Sequence, residues 1–387
     1  MRSRATQWWL GGTTWLLACA GAAAIAVIPY TSGEVAKPMS EDEQRVWSQA
    51  RELDEIILKG GITYDDEVLR QYVQGVMDRL YPDFKGHIRV TLLKAPHLNA
   101  FAVPDGNIYV NIGLLARFQN EAQLATVLAH EGTHFTHRHG YRNQQSLKDN
   151  TAFATYGSML GLPGLLPQLI AISSVFGYSR ELETEADVNG YQRLAQGGYD
   201  VREAPKAFDH LMREVKAEDI KEPFFFATHP KLKDRFDNLT KLSSKAAGGG
   251  DGASRADYAR VMQKARTDNL ENQLSMGRVK SSLIVLEDPE HMQELPPYAP
   301  YFLGEAYRLR GDKGDLERAE AAYVRAIEAA PDYAPSYRAL GILCMKKTRY
   351  DDATRYLGKY LELNPAAVDR KYVESYLRMI EKKGGNP

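Results

Sequence analysis

The first part of the chain shows apolar residues at helical spacing, followed by a stretch in which apolar and polar residues alternate. Ser40 followed by Glu43 forms a capping box, which predicts a helix that ends near Gly60. The run DDEVLRQYVQGVMDRL predicts a second helix. Residues 87–94 predict a strand, and residues 99–111, NAFAVPDGNIYVN, predict a hairpin that turns at Pro-Asp-Gly. This part of the chain therefore predicts helices together with a small sheet.

A third predicted helix begins at Asn120, which is a favourable N-cap residue, and runs to Gly140. Leu124 and Leu128 are one helical turn apart and share a face with Glu131. The pattern therefore predicts an amphipathic helix, whose apolar side carries part of the sequence VLAHEGTHFTHRHG.

The next segment, residues 153–178, is long and apolar but is broken by glycines and prolines. These interruptions favour a buried or membrane-touching flap over a helix that spans a membrane. Residues 180–195 predict a helix that ends at Gly197-Gly198, and Pro230 suits the first turn of another helix. The flexible sequence SSKAAGGGDGAS at 243–254 then predicts a linker and a domain boundary.

Two copies of a helical motif follow the linker. Leu303-Gly304 matches Leu340-Gly341, and Ala319 and Ala353 lie 34 positions apart. A period of 34 residues, with Leu-Gly early and Ala in the second helix, resembles the tetratricopeptide repeat. The helical stretches on either side of the two copies are expected to complete and cap the stack, because such arrays usually need about three repeats.

The chain opens with a basic leader that contains Arg2 and Arg4, followed by a long apolar run to Ile28. Such a segment at 1–30 is typical of an export signal or a membrane anchor. Within it, LLAC ending at Cys19 is similar to a bacterial lipobox, which would make Cys19 the lipidated first residue. The length of the apolar run favours a retained signal-anchor helix instead, and simple cleavage is a third interpretation. All three place the rest of the chain outside the cytoplasm.

The composition is that of a globular protein, with 44% hydrophobic and 26% charged residues. We predict an α+β, mostly helical fold, in which a first domain at 40–242 carries the small sheet and an all-α repeat domain occupies 255–387. The 49 basic and 50 acidic residues nearly cancel, and no basic tract is interleaved with aromatic residues, which argues against nucleic acid as a partner. Cys344 is the only cysteine outside the leader, so no disulfide framework is expected within the chain.

The main candidate chemistry lies in HEGTH, at residues 130–134. On a helix, His130 and His134 point to the same side and can bind one metal ion. Glu131 projects to the side, where a carboxylate can take a proton from an attacking water and return it to the leaving amine. Two histidines and a glutamate on an apolar helix face would be costly without a metal ion or other partners. The motif therefore predicts one zinc ion per chain.

A catalytic zinc ion needs a third protein ligand. In YSRELETEADVNG, Glu183 and Asp187 are one helical turn apart, so both can face the helix that carries the histidines. We expect Glu183 to be the third ligand and Asp187 to accept a hydrogen bond from a ligand histidine. Spacing alone leaves Glu181 and Glu185 open as alternatives, as well as an ordinary solvated helix face.

The segments HEGTH, ELETEAD and THPKLKDR together resemble the zinc metallopeptidases of the HtpX and CaaX-prenyl-protease type. The resemblance spans roughly residues 41–242. It implies a zincin-like fold with the two histidines and Glu183 as zinc ligands, Glu131 as the general base and Asp187 as a support for the site. A leader before this domain and tetratricopeptide repeats after it are similar to the arrangement of bacterial periplasmic proteases of this type.

Two further residues are candidates for the site. His229 matches the histidine of the family's His-Pro segment, where it could act as a fourth zinc ligand that a substrate displaces; a capping or core histidine is the alternative. Arg235 could pair with a site carboxylate or with a substrate carbonyl. His137 and His139 are expected to be structural or solvent-facing.

The strand at 107–112 directly precedes the motif helix, and we expect it to be an edge strand that binds an extended substrate; a strand paired on both sides is the alternative. Such binding favours unfolded or misassembled protein substrates. The predicted function is a zinc endopeptidase of the cell envelope, in protein quality control or outer-membrane protein assembly, whose repeats recruit substrates or a protein partner. The alternative is a chaperone-like or assembly scaffold with latent peptidase activity.

Overall fold

The computed structural model describes residues 27–146, 178–218, 232–246 and 255–384. Four expectations fall outside these residues: the leader up to residue 26 with Cys19, the apolar segment at 153–178 except its last residue, His229 and Pro230. In the described part of the chain, no helix combines the length and the apolar character needed to cross a membrane.

The N-terminal part folds into two helices and a three-stranded sheet. These elements are α1 (Glu41–Lys59), α2 (Glu67–Leu80), β1 (Arg89–Leu93), β2 (Ala100–Ala102) and β3 (Asn107–Asn111). Ser40 caps α1, because its hydroxyl accepts the backbone N–H of Glu43 at 3.2 Å. Gly106 turns the β2–β3 hairpin with a φ of 92°, a conformation that glycine adopts readily. The predicted helices, strand and hairpin are confirmed.

The central strand of the sheet is β3, which pairs with β1 in parallel and with β2 in antiparallel orientation. The expectation that residues 107–112 form an edge strand is therefore wrong. The predicted hairpin indicates β2 as one neighbour of β3. The other neighbour, β1, pairs in parallel and is not joined to β3 by a hairpin, so the sequence does not indicate it.

The two edge strands are β1 and β2, and β2 is the one that contacts the helix Glu121–Thr136. The residues that flank β2, Asn99 and Val103, are hydrogen-bonded to Asn111 and Asn107, and because hydrogen-bonded pairs alternate along an antiparallel ladder, the N–H and C=O groups of Ala100 and Ala102 point away from β3.

Three helices follow the sheet: α3 (Ile112–Arg117), α4 (Glu121–Thr136) and α5 (His139–Ser146). Asn120 caps α4 as predicted, and its side chain accepts the N–H of Gln123 at 3.0 Å. Two expectations about α4 are wrong. Every residue of α4 is buried, so neighbouring elements enclose this helix and it is not amphipathic. It also ends at Thr136 and not at Gly140, because Arg138 adopts a left-handed φ of 59° that stops the helix.

Helices α6 (Arg180–Gln196) and α7 (Ala204–Glu218) pack against α4, and α8 (Leu232–Ser243) packs against α6 and α7. The predicted helix at 180–195 is confirmed, and it ends at Gly197 as expected. The main hydrophobic core lies between α2, the sheet, α4 and α7, where Val73, Leu128 and Phe208 are fully enclosed. This core fixes the positions of the helices that carry the candidate site.

The C-terminal part is entirely helical in the residues described. Its helices are α9 (Arg255–Ser275), α10 (Val279–Leu286), α11 (Pro289–Gln293), α12 (Pro300–Arg310), α13 (Asp315–Ala329), α14 (Ala334–Lys346), α15 (Tyr350–Leu363) and α16 (Arg370–Gly384). A Cβ atom on Gly304 of α12 would lie 2.4 Å from Tyr323 of α13, and one on Gly341 of α14 would lie 2.8 Å from Leu357 of α15. Equivalent glycines thus pack the same way in two helix pairs, while the tetratricopeptide assignment stays a prediction.

Helix α9 contributes to two hydrophobic cores. Tyr258 and Met262, in its first half, are buried in the main core with the sheet-containing part. Leu270 and Leu274, in its second half, pack with α10 and α12. The domain boundary at 243–254 stays a prediction. The predicted fold class is confirmed: the protein is α+β and mostly helical, with a small sheet and an all-α C-terminal part.

Candidate metal centre

Helices α4 and α6 bring three potential metal ligands together. Nε2 of His130 lies 2.9 Å from Nε2 of His134 and 3.4 Å from Oε2 of Glu183. Oε1 of Glu183 lies 3.6 Å from Nε2 of His134. All three side chains are buried, and their ligand atoms lie within 4.8 Å of one another. Two imidazole nitrogens and a carboxylate oxygen are a donor set that zinc prefers, so the residues fit the predicted ion.

Glycines allow close approach of neighbouring elements at this point of α4. A Cβ atom on Gly190 of α6 would lie 3.0 Å from the backbone nitrogen of His130. A Cβ atom on Gly132 would lie 2.3 Å from the ring of Tyr81, whose hydroxyl is hydrogen-bonded to Thr133 at 2.9 Å. The absence of a side chain at Gly190 therefore allows the two helices that carry the three donors to approach each other, and its absence at Gly132 makes room for Tyr81.

Asp187 and Arg235 form an ion pair behind the histidines. Oδ1 of Asp187 lies 3.0 Å from Nδ1 of His130, as expected for a carboxylate that orients a ligand histidine. Arg235 donates to both carboxylate oxygens of Asp187, at 2.6 and 2.9 Å, and its Nη1 lies 3.1 Å from Oε2 of Glu183. The guanidinium lies over the ring of Phe208, 4.6 Å from its centroid. The sequence allows a site carboxylate or a substrate carbonyl as the partner of Arg235. In the structure, Arg235 pairs with site carboxylates.

Buried carboxylates dominate the electrostatics of this centre. Burial and Arg235 lower the pKa of His130, but Asp187 and Glu183 outweigh both and raise the pKa of His130 to about 9. Burial raises the pKa of Asp187, but Arg235 and His130 outweigh it and hold the pKa of this carboxyl below its usual value. Three carboxylates, with Glu131 as the third, face one guanidinium. A divalent cation would compensate the remaining buried negative charge.

The side chain of Glu131 faces the edge strand. Its Oε2 accepts the backbone N–H of Ala102 at 3.0 Å, and the side chain is fully buried. The hydroxyl of Tyr178 lies 3.5 Å from the carbonyl oxygen of Ala102. The backbone N–H and C=O groups of Ala102, which point away from β3, therefore lie beside Glu131, the candidate general base.

Two residues that were not assigned to the site from the sequence contact His134. Nδ1 of His139 lies 2.9 Å from Nδ1 of His134. The ring of Tyr178 stacks on that of His134 with centroids 3.8 Å apart and an interplanar angle of 13°. Burial lowers the pKa of His139 to about 3, so its side chain is neutral near pH 7. If α4 continued to Gly140, as predicted, His139 would point away from the site. Tyr178 has no regular spacing from the motif that would indicate a contact with it.

The other glutamates of α6 lie elsewhere. Glu181 is exposed. Glu185 accepts a hydrogen bond from Nδ1 of His137 at 2.7 Å and pairs with Arg142 at 2.9 Å. Among the glutamates of α6, Glu183 is therefore the one whose carboxylate reaches both histidines of the motif.

A comparison with known protein families identifies the sheet-containing part of the chain. Residues 64–243 match the model of peptidase family M48. Over these residues, which are a little under half of the chain, the protein is similar to M48 peptidases. The predicted zincin-like fold and the predicted enzyme class, a metal-dependent peptide hydrolase, are thereby confirmed at the level of the family.

Relatives of the chain occur in bacteria and in mitochondria. The chain is 31% identical over 186 residues to a putative beta-barrel assembly-enhancing protease of Vibrio cholerae, which covers 44% of this chain and 38% of that protein. It is 34% identical over 149 residues to the mitochondrial metalloendopeptidase OMA1 of Arabidopsis thaliana, which covers 38% of this chain and 30% of that protein.

The beta-barrel assembly-enhancing protease of Yersinia pestis is 28% identical over 247 residues, which covers 56% of this chain and 50% of that protein. The chain thus spans half or less of the length of these three relatives. The predicted similarity to this bacterial protease is confirmed, at moderate identity.

Proposed function

We propose that this protein is a zinc-dependent endopeptidase, which binds one zinc ion per chain through His130, His134 and Glu183. The observation that supports this most directly is the buried convergence of these three donors, with Glu131 adjacent on α4. The M48 family match supports the same reaction class.

A zinc ion held at this centre would act as a Lewis acid toward the scissile carbonyl and would acidify the attacking water. Glu131 accepts the proton of that water and returns it to the leaving amine. Its carboxylate is already oriented, because Ala102 donates to it from the edge strand. Asp187 accepts a hydrogen bond from Nδ1 of His130, which leaves the lone pair of Nε2 available as a ligand. Arg235 holds Asp187 in this orientation.

The substrate is proposed to be an extended polypeptide that adds to the sheet beside β2. The N–H and C=O groups of Ala100 point away from β3, as an edge strand requires for pairing with a further chain, whereas those of Ala102 point the same way but contact Glu131 and Tyr178. Main-chain pairing gives affinity with little sequence selectivity. Because a folded domain cannot present an extended segment, the mode favours unfolded or misassembled proteins.

The cellular setting is proposed to be the periplasmic side of a bacterial envelope. Two of the relatives are named as proteases that enhance beta-barrel assembly, and the leader at 1–30 is typical of an exported or anchored protein. The chain would be tethered through lipidated Cys19 or through a signal-anchor helix, or released by cleavage. Its role would be protein quality control or outer-membrane protein assembly, with the C-terminal helices recruiting substrates or a protein partner.

Replacement of the general base tests this function. In the full chain, purified in mild detergent, Glu131→Gln should retain zinc and lose about 10²–10⁴-fold in the rate of casein cleavage. Glu181→Gln is a matched control, because Glu181 is exposed on α6, and it should cleave casein at the wild-type rate. Wild-type cleavage by Glu131→Gln would contradict the proposal.

His229 is proposed to occupy the open position at the zinc ion until a substrate displaces it, on the basis of its match to the family's His-Pro segment. Under this proposal, His229→Ala increases the rate of casein cleavage. An unchanged or lower rate would argue for a capping or core histidine.

A second candidate function is a chaperone-like or assembly scaffold with latent peptidase activity. An open groove in the C-terminal part favours it, and five of the residues that line it are Glu271, Tyr301, Glu305, Arg308 and Tyr333. A scaffold would prevent the aggregation of an unfolded protein equally well in the wild type and in Glu131→Gln. Cleavage of that protein by a peptidase would instead be lost without the carboxylate of Glu131.

A further inference from the structure

His139 is fully buried next to the proposed zinc ligand His134, and the two residues face each other through their Nδ1 atoms at 2.9 Å. We infer that His139 is a positioning residue for the zinc centre: it accepts a hydrogen bond from Nδ1 of His134 and thereby holds Nε2 of His134 toward the metal. This inference rests on the proposed function, because it assigns a role toward the zinc ion.

The contact between two Nδ1 atoms determines where the hydrogen atoms lie. A neutral imidazole carries one N–H, and Nε2 of His134 must offer its lone pair if it binds zinc. The hydrogen atom of His134 then lies on Nδ1, where it is donated to Nδ1 of His139. His139 in turn carries its own hydrogen atom on Nε2, which lies 3.6 Å from Oε1 of Glu185. The contact thus selects one tautomer for each histidine.

Glu185 is itself held in place at the outer end of this chain of contacts. Nδ1 of His137 lies 2.7 Å from its Oε1, and Nη1 of Arg142 lies 2.9 Å from its Oε2. The series therefore runs from His134 through His139 to a fixed carboxylate. The other ligand histidine contacts a carboxylate directly, through Asp187, so the two ligands are oriented by different means.

A backbone turn brings His139 to this position. Arg138 adopts a φ of 59°, which reverses the chain direction after α4. Its guanidinium is buried against both carboxylate oxygens of Glu43 in α1, at 2.6 and 2.8 Å. The turn is thus anchored by an ion pair to a distant helix. Because this anchoring fixes the backbone next to His139, its ring is held against His134.

The same residues could be considered as a second metal site, since one ligand atom each from His137, His139 and Glu185 lies within 4.8 Å of the others. The hydrogen-bonding pattern argues against this. When His134 binds zinc through Nε2, the hydrogen atom on Nε2 of His139 prevents that nitrogen from acting as a ligand. The guanidinium of Arg142 beside Glu185 would also repel a second cation.

The test compares two substitutions of similar size and polarity in the full chain. In His139→Asn, the side-chain oxygen can take the place of Nδ1 and accept from His134. In His139→Gln, the amide reaches the position of Nε2 and leaves Nδ1 of His134 without this acceptor. Zinc affinity is measured by competition with a chelating dye. The visible absorption spectrum of the protein loaded with Co²⁺ reports the ligand geometry, and circular dichroism confirms folding.

His139→Asn should bind zinc within a few-fold of the wild type and keep its Co²⁺ spectrum. His139→Gln should bind about 10–100-fold more weakly, as is typical when the partner of a metal-ligating histidine is removed, and its Co²⁺ spectrum should change. Equal affinities in the two variants, whether both normal or both weakened, would overturn the inference. So would a second zinc equivalent in the wild type that is lost in His137→Ala. A wild type without zinc would instead refute the proposed function itself, before any variant is compared.

Discussion

Arg235 is buried among the carboxylates of the candidate metal centre, where it donates to Asp187 and lies next to Glu183. Removing one partner of a buried ion pair leaves the other charge uncompensated, which costs more than the loss of a pair in solvent. Lys233, two residues earlier on α8, pairs with Asp237 on the exposed face. Such exposed pairs contribute only about 0–1 kcal/mol. Arg235 and Lys233 therefore differ in burial although they lie only two residues apart.

We predict that Arg235→Met lowers the free energy of unfolding by about 3–5 kcal/mol, because it leaves Asp187 buried without its cation. Lys233→Met should lower it by at most about 1 kcal/mol. Urea unfolding of the metal-free protein, followed by circular dichroism, measures both without a contribution from zinc binding. Equal effects of the two substitutions would show that Arg235 does not compensate the buried charge.

At the scale of elements, α4 is enclosed on all sides, and a glycine in this helix has a structural reason. Tyr81 occupies the space where a Cβ atom of Gly132 would lie, and its hydroxyl is held by Thr133. Gly75 of α2 is the opposite case, since an added Cβ would meet nothing within 4 Å. The same substitution should therefore have opposite effects in the two helices.

We predict that Gly132→Ala destabilises the protein by about 1–3 kcal/mol, because the added methyl group overpacks the contact with Tyr81. It should also weaken zinc binding, since the adjacent histidines shift with the helix. Gly75→Ala should stabilise the protein by up to about 1 kcal/mol, the difference in helix propensity. Thermal unfolding of both variants provides the comparison. A stabilising effect of Gly132→Ala would contradict the packing described.

The elements also show which features could be predicted from the sequence. Local signals sufficed for the start of α4 at Asn120, whereas helical spacing left Glu183 as one α6 candidate among several and the resemblance to the metallopeptidases selected it. The end of α4 could not be predicted, because the left-handed turn at Arg138 depends on an ion pair with Glu43, far away in the sequence. For the same reason His139 was not recognised as a neighbour of the site. The edge strand was assigned wrongly because parallel pairing leaves no local signal.

At the scale of the whole molecule, buried charges connect the sheet-containing part of the chain to the C-terminal helices. Arg117 of α3 and Arg278 both contact Glu214 of α7, each at 2.7 Å. Ser281 of α10 also donates to this carboxylate. Burial raises the pKa of Glu214, but Arg117, Ser281 and Arg278 outweigh it and hold the pKa below its usual value. A group with a lowered pKa in the folded state stabilises the fold above its unfolded-state pKa, and this contribution is lost as the pH falls through the folded-state pKa.

We predict that Glu214→Gln lowers the free energy of unfolding by about 3–5 kcal/mol near pH 7, because Arg117 remains buried without its carboxylate. The difference from the wild type should shrink as the pH falls below about 4.3, because the stabilisation that the ionised carboxylate gives the wild type is then progressively lost. Glu52→Gln, on the exposed side of α1, should show no such difference at either pH. A pH-independent effect of Glu214→Gln would contradict an electrostatic contribution.

The central claim is that His130, His134 and Glu183 hold one zinc ion, and the zinc content of the purified full chain tests it most directly. Inductively coupled plasma mass spectrometry of the wild type should give one zinc ion per chain. Glu183→Ala should give far less, because two histidines alone leave the ion without its third ligand. Glu181→Ala, in which an exposed glutamate of the same helix is replaced, should retain one. A wild type without zinc, or full zinc content in Glu183→Ala, would contradict the account.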